Sequence, residues 1–156
     1  MIVVPTRAAS SPAARALVIE GFEVTEVVME DPFHYGRLTA DLWALGKGFV
    51  MVEDDVVPWP GAIQAMLDCP KEWCAYEFPR TYVQHEPRSG FTVSMGCTKL
   101  TAAILERYSP AFGDLRWDEV NGPIEEALSS ETCHLHYPPV AHVKSHVTTL
   151  RRGEIV

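Results

Sequence analysis

Gly48-Phe49-Val50-Met51-Val52-Glu53-Asp54-Asp55-Val56-Val57-Pro58 decides how the rest of the chain is read. Phe49 to Val52 are β-branched, aromatic or thioether residues in an unbroken run, the composition of a strand buried on both faces in a parallel sheet. Three carboxylates cannot share that core. They must emerge at the carboxyl end of the strand, where open α/β sheets bind their ligands. Carboxylates this close repel one another unless a hard cation, magnesium or manganese, lies between them and a phosphate-bearing substrate. The rival reading is a solvated acidic turn.

Upstream, Met1-Ile2-Val3-Val4 reads as a first buried strand that turns at Pro5-Thr6-Arg7. Thr6 and Arg7 then reach the same sheet edge as the acids, where a guanidinium can pair with a diphosphate or stack on a base; a surface arginine is the plain alternative. Ser10 or Ser11 can cap a helix with Pro12 in its first turn, running to a stop at Gly21. Phe22 to Val28 is the second strand, closed by Glu30-Asp31-Pro32, and Asp31 stands where many nucleotide-binding folds set an acid against a ribose or base edge. Leu38, Leu42 and Leu45 keep helical spacing up to Gly46-Lys47-Gly48. Neither a Gly-x-Gly-x-x-Gly nor a Gly-x-x-x-x-Gly-Lys sequence is present, so a dinucleotide fingerprint and a P-loop are both excluded.

Downstream, Val56-Val57-Pro58 reads as a turn into a helix over 62–67, followed by a strand over 73–78. The polar segment 80–90 reads as a loop that folds over a substrate. Phe91 to Thr98 is a further strand leading into a helix over 100–108, Pro123 to Leu128 another helix, and Cys133 to Tyr137 a last alternating strand. Pro138-Pro139 then starts an extended tail whose Lys144, His146, Arg151 and Arg152 are the chain's concentration of basic groups.

The bulk numbers agree with one α/β domain over residues 1–156: 47% hydrophobic residues can bury a core. With 21 acidic against 13 basic residues the net charge is -8, which disfavours nucleic acid as a partner and a membrane surface held by bulk charge. No apolar run reaches the roughly 18 residues of a membrane span. Cys69, Cys74, Cys97 and Cys133 contain no Cys-x-x-Cys pair and follow no secretory leader, so they read as reduced core thiols of a cytoplasmic protein. A zinc site from Cys69, Cys74, Cys133 and His134 is the alternative.

In its order of parts the chain resembles small GT-A glycosyltransferases, which have a Rossmann-like, mostly parallel sheet flanked by helices and an Asp-x-Asp type (DXD) acidic motif. The residues that carry the resemblance are the amino-terminal strand, Glu53-Asp54-Asp55 after Phe49 to Val52, Gly96-Cys97-Thr98 before a helix, and Trp117-Asp118-Glu119 before another. The resemblance implies sugar transfer from a nucleoside-diphosphate sugar, a UDP-sugar, to the hydroxyl of an unidentified acceptor. It implies Mn2+ or Mg2+ held by Asp55 and Glu53, with Asp54 facing the ribose or sugar. A late histidine would add a ligand: His142, or alternatively His136 or His146. Independently of the resemblance, the chain's one concentration of basic groups suggests a tail that folds over the donor's phosphates and brings Lys144 or Arg151 to the diphosphate. Asp118, or Glu119, would be the general base of an inverting reaction, or else an acid favoured by the positive end of a helix. Two other classes fit the same residues. One is a metal-dependent nucleotidyltransferase or other phosphoryl-transfer enzyme, and the other a non-catalytic nucleotide-sugar or carbohydrate binder whose Trp59, Trp73 and Trp117 stack on sugar.

Overall fold

The computed structural model describes residues 1–7, 11–77 and 95–142, and within them strand and helix alternate from the first apolar run onward. β1 (Ile2–Thr6) is buried at every residue. α1 (Pro12–Ile19) begins as its sequence dictates: the Ser11 Oγ accepts the Ala14 amide at 3.1 Å and proline stands in the first turn. It ends at Glu20, and Gly21 takes the left-handed φ of 89° that turns the chain. β2 (Val24–Val28) follows, then α2 (His34–Leu45), which stops at Gly46. β3 is Phe49–Val52, the predicted range, buried throughout. Next come β4 (Val56–Val57), α3 (Ala62–Asp68), β5 (Trp73–Tyr76), β6 (Cys97–Leu100), α4 (Ala102–Arg107), α5 (Asn121–Ala127), β7 (His134–His136) and β8 (Ala141–His142).

Six strands form one sheet in the order β2-β1-β3-β6-β5-β7. The β1–β2, β1–β3 and β5–β7 pairings are parallel, while β6 runs antiparallel to both of its neighbours. The sheet is therefore mixed but mostly parallel, as expected. Its two faces carry separate cores. Ile2, Val4, Val50 and Val52 pack with Ala13 and Leu17 of α1 and Ile63 and Met66 of α3. Val3, Phe49 and Met51 pack with Tyr35, Leu42 and Trp43 of α2, Ile104 of α4 and Ile124 of α5. Alternate residues of one strand thus feed opposite layers, giving helices on both faces. Each large apolar side chain so buried stabilises the fold by about 1.5–3 kcal/mol, which anchors β3 and holds residues 53–55 at its rim.

Several boundaries differ from the sequence expectation. The strand expected over Phe91 to Thr98 is described only from its far end, as Cys97–Leu100, so Leu100 closes a strand and α4 starts at Ala102. Lys99 disguises that strand, since it is a charged residue only 7% exposed. Its ammonium is satisfied by the Cys69 carbonyl at 2.5 Å. Val56-Val57, expected as a turn, is a short strand paired antiparallel with β8: Val56 faces His142 and Val57 faces Ala141. The extended tail therefore returns to the acidic turn, at least as far as residue 142. The loop 80–90, the tail from Val143 onward with Lys144 and His146, and Phe91 to Ser94 lie outside the described residues.

Candidate functional site

β1, β2 and β3 run parallel, so Arg7, residues 29–31 and residues 53–55 all leave the sheet at one edge. The chain passes from β1 outward to β2 and then back across to β3 on the other side. That reversal creates a crevice at the carboxyl ends. A cleft of about 380 Å³ lies there, lined by Thr6, Arg7, Asp31, Glu53, Asp54, Tyr35 and Trp117 among others. Five of the residues expected at a nucleotide site are thus brought together.

The acids form a tight turn in which the Val56 amide donates to the Glu53 carbonyl at 3.0 Å. The Glu53 amide donates to the Gly96 carbonyl of the β6 approach at 2.9 Å, so the turn is fixed to the sheet on its other side. Within it the three side chains differ. Asp54 faces Arg7, accepting from its backbone amide at 3.1 Å, from Nε at 3.2 Å and from Nη2 at 3.1 Å. Arg7 Nη2 also lies 3.7 Å from Asp55 Oδ2. The carboxylates, above all Asp54 through its hydrogen bonds, raise the Arg7 pKa further. Glu53 and Asp55 point inward, each 9% exposed. The Glu53 Oε1 accepts from the Tyr35 hydroxyl at 3.0 Å. Burial pushes the Glu53 carboxyl up to about 7, helped by the charges of Asp55 and Asp54 and opposed by Tyr35 and Arg7. Burial, then the charge of Glu53, raises the Tyr35 phenol well above its usual value, so Tyr35 stays a donor.

Trp117 forms the outer wall. Its amide donates to the Pro32 carbonyl at 3.1 Å, its ring meets Tyr35 edge-on at 6.0 Å, and the Arg7 guanidinium lies 6.0 Å from the ring centroid. The loop carrying it rests on α2 at Gly36, where a Cβ would come within 2.5 Å of the Leu115 carbonyl oxygen. Only glycine permits that approach. Tyr35 went unnoticed in the sequence, although Tyr35, Thr39 and Leu42 share one helical face and would have marked it as inward.

Not every expected residue joins the cleft. Asp31 lines its rim but is occupied by Arg37 Nη2 at 2.6 Å and by the Phe33 amide at 2.8 Å, and both bonds, Arg37 first, lower its pKa. Asp118 is exposed and lies 3.7 Å from Arg116 Nε, while Glu119 accepts the Arg116 amide at 2.8 Å. Neither lines the cleft, whose contribution from this loop is Trp117. The backbone of His142 stands opposite Val56, one residue beyond Asp55. His136 lies on β7, across β5 and β6 from the acids.

Glu53 and Asp55 present hard oxygen donors from positions i and i+2, and their enforced burial as like charges is relieved by a cation, so this donor set fits magnesium or manganese. Among the described residues the three acids do not converge as one cluster; the three-residue group whose ligand atoms approach within 4.8 Å of one another is Cys69, His134 and His136.

The layered, mostly parallel sheet with its ligand-side crevice defines a Rossmann-like α/β domain. No protein-family model matches the chain, and no curated protein matches it in sequence. Among solved structures it is similar to A197 from STIV, with a TM-score of 0.53 and 11% identity over 97% of each chain. A glycosyltransferase involved in the glycosylation of the major capsid of PBCV-1 aligns with a TM-score of 0.48 and 13% identity, over 94% of this chain and 95% of that one. At such identities the likeness to A197 concerns the fold alone. Among the described residues no helix is long and apolar enough to cross a membrane.

Proposed function

We propose that this chain is a metal-dependent GT-A glycosyltransferase that moves a sugar from a nucleoside-diphosphate sugar, a UDP-sugar, to an acceptor hydroxyl with inversion. The observation that carries this reading is the cleft at the sheet reversal in which Thr6, Arg7, Asp31, Glu53 and Asp54 meet beneath Trp117. Glu53 and Asp55 hold a magnesium or manganese ion, with His142 as a further ligand, and that ion supplies neutralisation of the departing diphosphate. Arg7 releases Asp54 when phosphate enters and pairs with the diphosphate instead, which frees Asp54 for the ribose or sugar. Thr6 and Asp31 bound the nucleoside, and Lys144 adds a cation at the phosphates. Asp118, or Glu119 in its place, accepts the acceptor hydroxyl proton as oxygen bonds to the anomeric carbon and the bond to the diphosphate breaks.

A second reading, a nucleotide-sugar or carbohydrate binder without turnover, is favoured by one observation: Asp118 and Glu119 are engaged with Arg116 away from the cleft. A thermal-shift screen of nucleotide sugars with and without manganese, followed by assay of sugar release, separates the two. Metal-dependent stabilisation with turnover supports the transferase, and stabilisation without turnover supports the binder. A chain indifferent to every nucleotide sugar refutes the transferase and the nucleotide-sugar binder, and a further screen of free sugars then tests the carbohydrate binder.

A further inference from the structure

Far from the acidic cleft, at the β7 edge of the sheet, three side chains of a different chemistry converge. His134 and His136 are two residues apart on β7 and so project to one face, the same face as their partners Cys74 and Tyr76 on β5. That face is covered by α3, and α3 ends at Cys69, its C-terminal cap. One thiol and two imidazoles therefore meet beneath the end of a helix, with ligand atoms all within 4.8 Å of one another. The two imidazole rings lie 4.9 Å apart, edge to face. We propose that Cys69, His134 and His136 form a binding site for a single zinc-class transition-metal ion, separate from the acidic site.

Two further observations support it. The His136 Nε2 is buried and finds no hydrogen-bond partner among the described residues, which is costly for an imidazole in a polar cluster. Lys99, itself buried, donates to the Cys69 carbonyl at 2.5 Å and so fixes the backbone that presents the thiol. Cys74, opposite His134 on β5, is not among the converging ligand atoms, so water would complete the coordination. A thiolate with two imidazoles selects zinc, or copper, over the magnesium and manganese suited to the carboxylates. Zinc bonds of about 2.0–2.3 Å require the ligand atoms to draw about 1 Å closer, within reach of side-chain rotation at a partly exposed edge. Bound there, the ion would tie the edge strand β7 to the end of α3.

The test is cobalt(II) substitution of the full chain after chelation, read by thiolate-to-cobalt charge-transfer absorption, together with zinc content as purified. One cobalt per chain that shows charge transfer is expected, any cobalt on the carboxylates of the acidic site contributing none. That absorption should vanish in Cys69→Ser, and cobalt affinity should fall at least tenfold in His134→Ala and His136→Ala. Asp55→Asn, which belongs to the other site, should keep the absorption. Cobalt bound without any charge transfer in the unaltered chain overturns the site whatever the variants do. So does charge transfer that survives Cys69→Ser or is lost in Asp55→Asn, or a mass showing Cys69 in a disulfide.

Discussion

Replacing Glu53 by glutamine makes the electrostatics of the cleft measurable. In the folded chain the Glu53 carboxyl titrates near about 7 rather than at 4.5, chiefly because it is buried. Between those values the folded chain keeps the proton and the unfolded chain has lost it. The unfolded state then binds fewer protons, so stability falls as pH rises through that window and levels off above it. At 1.36 kcal/mol per unit, the rise amounts to about 3 kcal/mol of stability missing at pH 8. Glutamine keeps the shape, its carbonyl still accepts from Tyr35, and it does not titrate. Glu53→Gln should therefore match the parent chain at pH 4.5 and exceed it at pH 8 by about 3 kcal/mol, or about 6–12 °C in Tm for a chain of this size. Urea unfolding at the two pH values measures the difference. Manganese should restore stability to the parent chain at pH 8 and do nothing for the glutamine variant, because it binds the ionised pair. If the two chains share one pH profile, burial is not what governs Glu53 and the account of the acidic turn fails.

Other expectations follow from the same geometry. Asp55→Ala should abolish manganese-dependent binding of a nucleoside diphosphate, and calorimetry showing unchanged affinity would remove Asp55 from the metal. Arg7→Gln should weaken nucleotide binding about tenfold while strengthening manganese binding in its absence, since a guanidinium no longer competes for Asp54 and Asp55; parallel titrations distinguish the two signs. Asp118→Asn should lower turnover about 100-fold or more with donor affinity intact, and normal turnover would transfer the role to Glu119. Gly36→Ala should weaken ligand binding by displacing Trp117. The clash of 2.5 Å with the Leu115 carbonyl outweighs the gain of about 1 kcal/mol in helix propensity, and quenching of Trp117 fluorescence by ligand would report the shift.

What the sequence disclosed and what it hid have physical reasons. β3 was legible because four consecutive apolar residues ending in three acids admit one placement, and α1 because Ser11 and Pro12 act locally. The partners of β3 were not. Nothing in Cys97 to Leu100 announces an antiparallel strand, and Lys99 argues against burial until its bond to the Cys69 carbonyl is seen. β4 and β8 are two residues each and have no periodicity to read. The cleft residues Thr6, Arg7, Asp31, Glu53 and Asp54 were reachable from strand ends alone, whereas Tyr35 enters from a helix face. Cys69 and the two histidines lie more than sixty positions apart along the chain, so their meeting depends on the β5–β7 pairing and the path of α3.

The pairing of β4 with β8 also bears on the order in which the molecule assembles. Val56 and His142 are 86 positions apart, and closing a segment of that length costs on the order of 4 kcal/mol of chain entropy. The β1–β2 and β1–β3 ladders span far shorter separations and belong to the early part of folding. During synthesis the acidic turn can therefore form while the strand bearing His142 has yet to leave the ribosome. On this account the β4–β8 pairing forms after the β1–β2 and β1–β3 ladders, and on the proposed function a metal site that draws on both Asp55 and His142 would be completed only with that pairing.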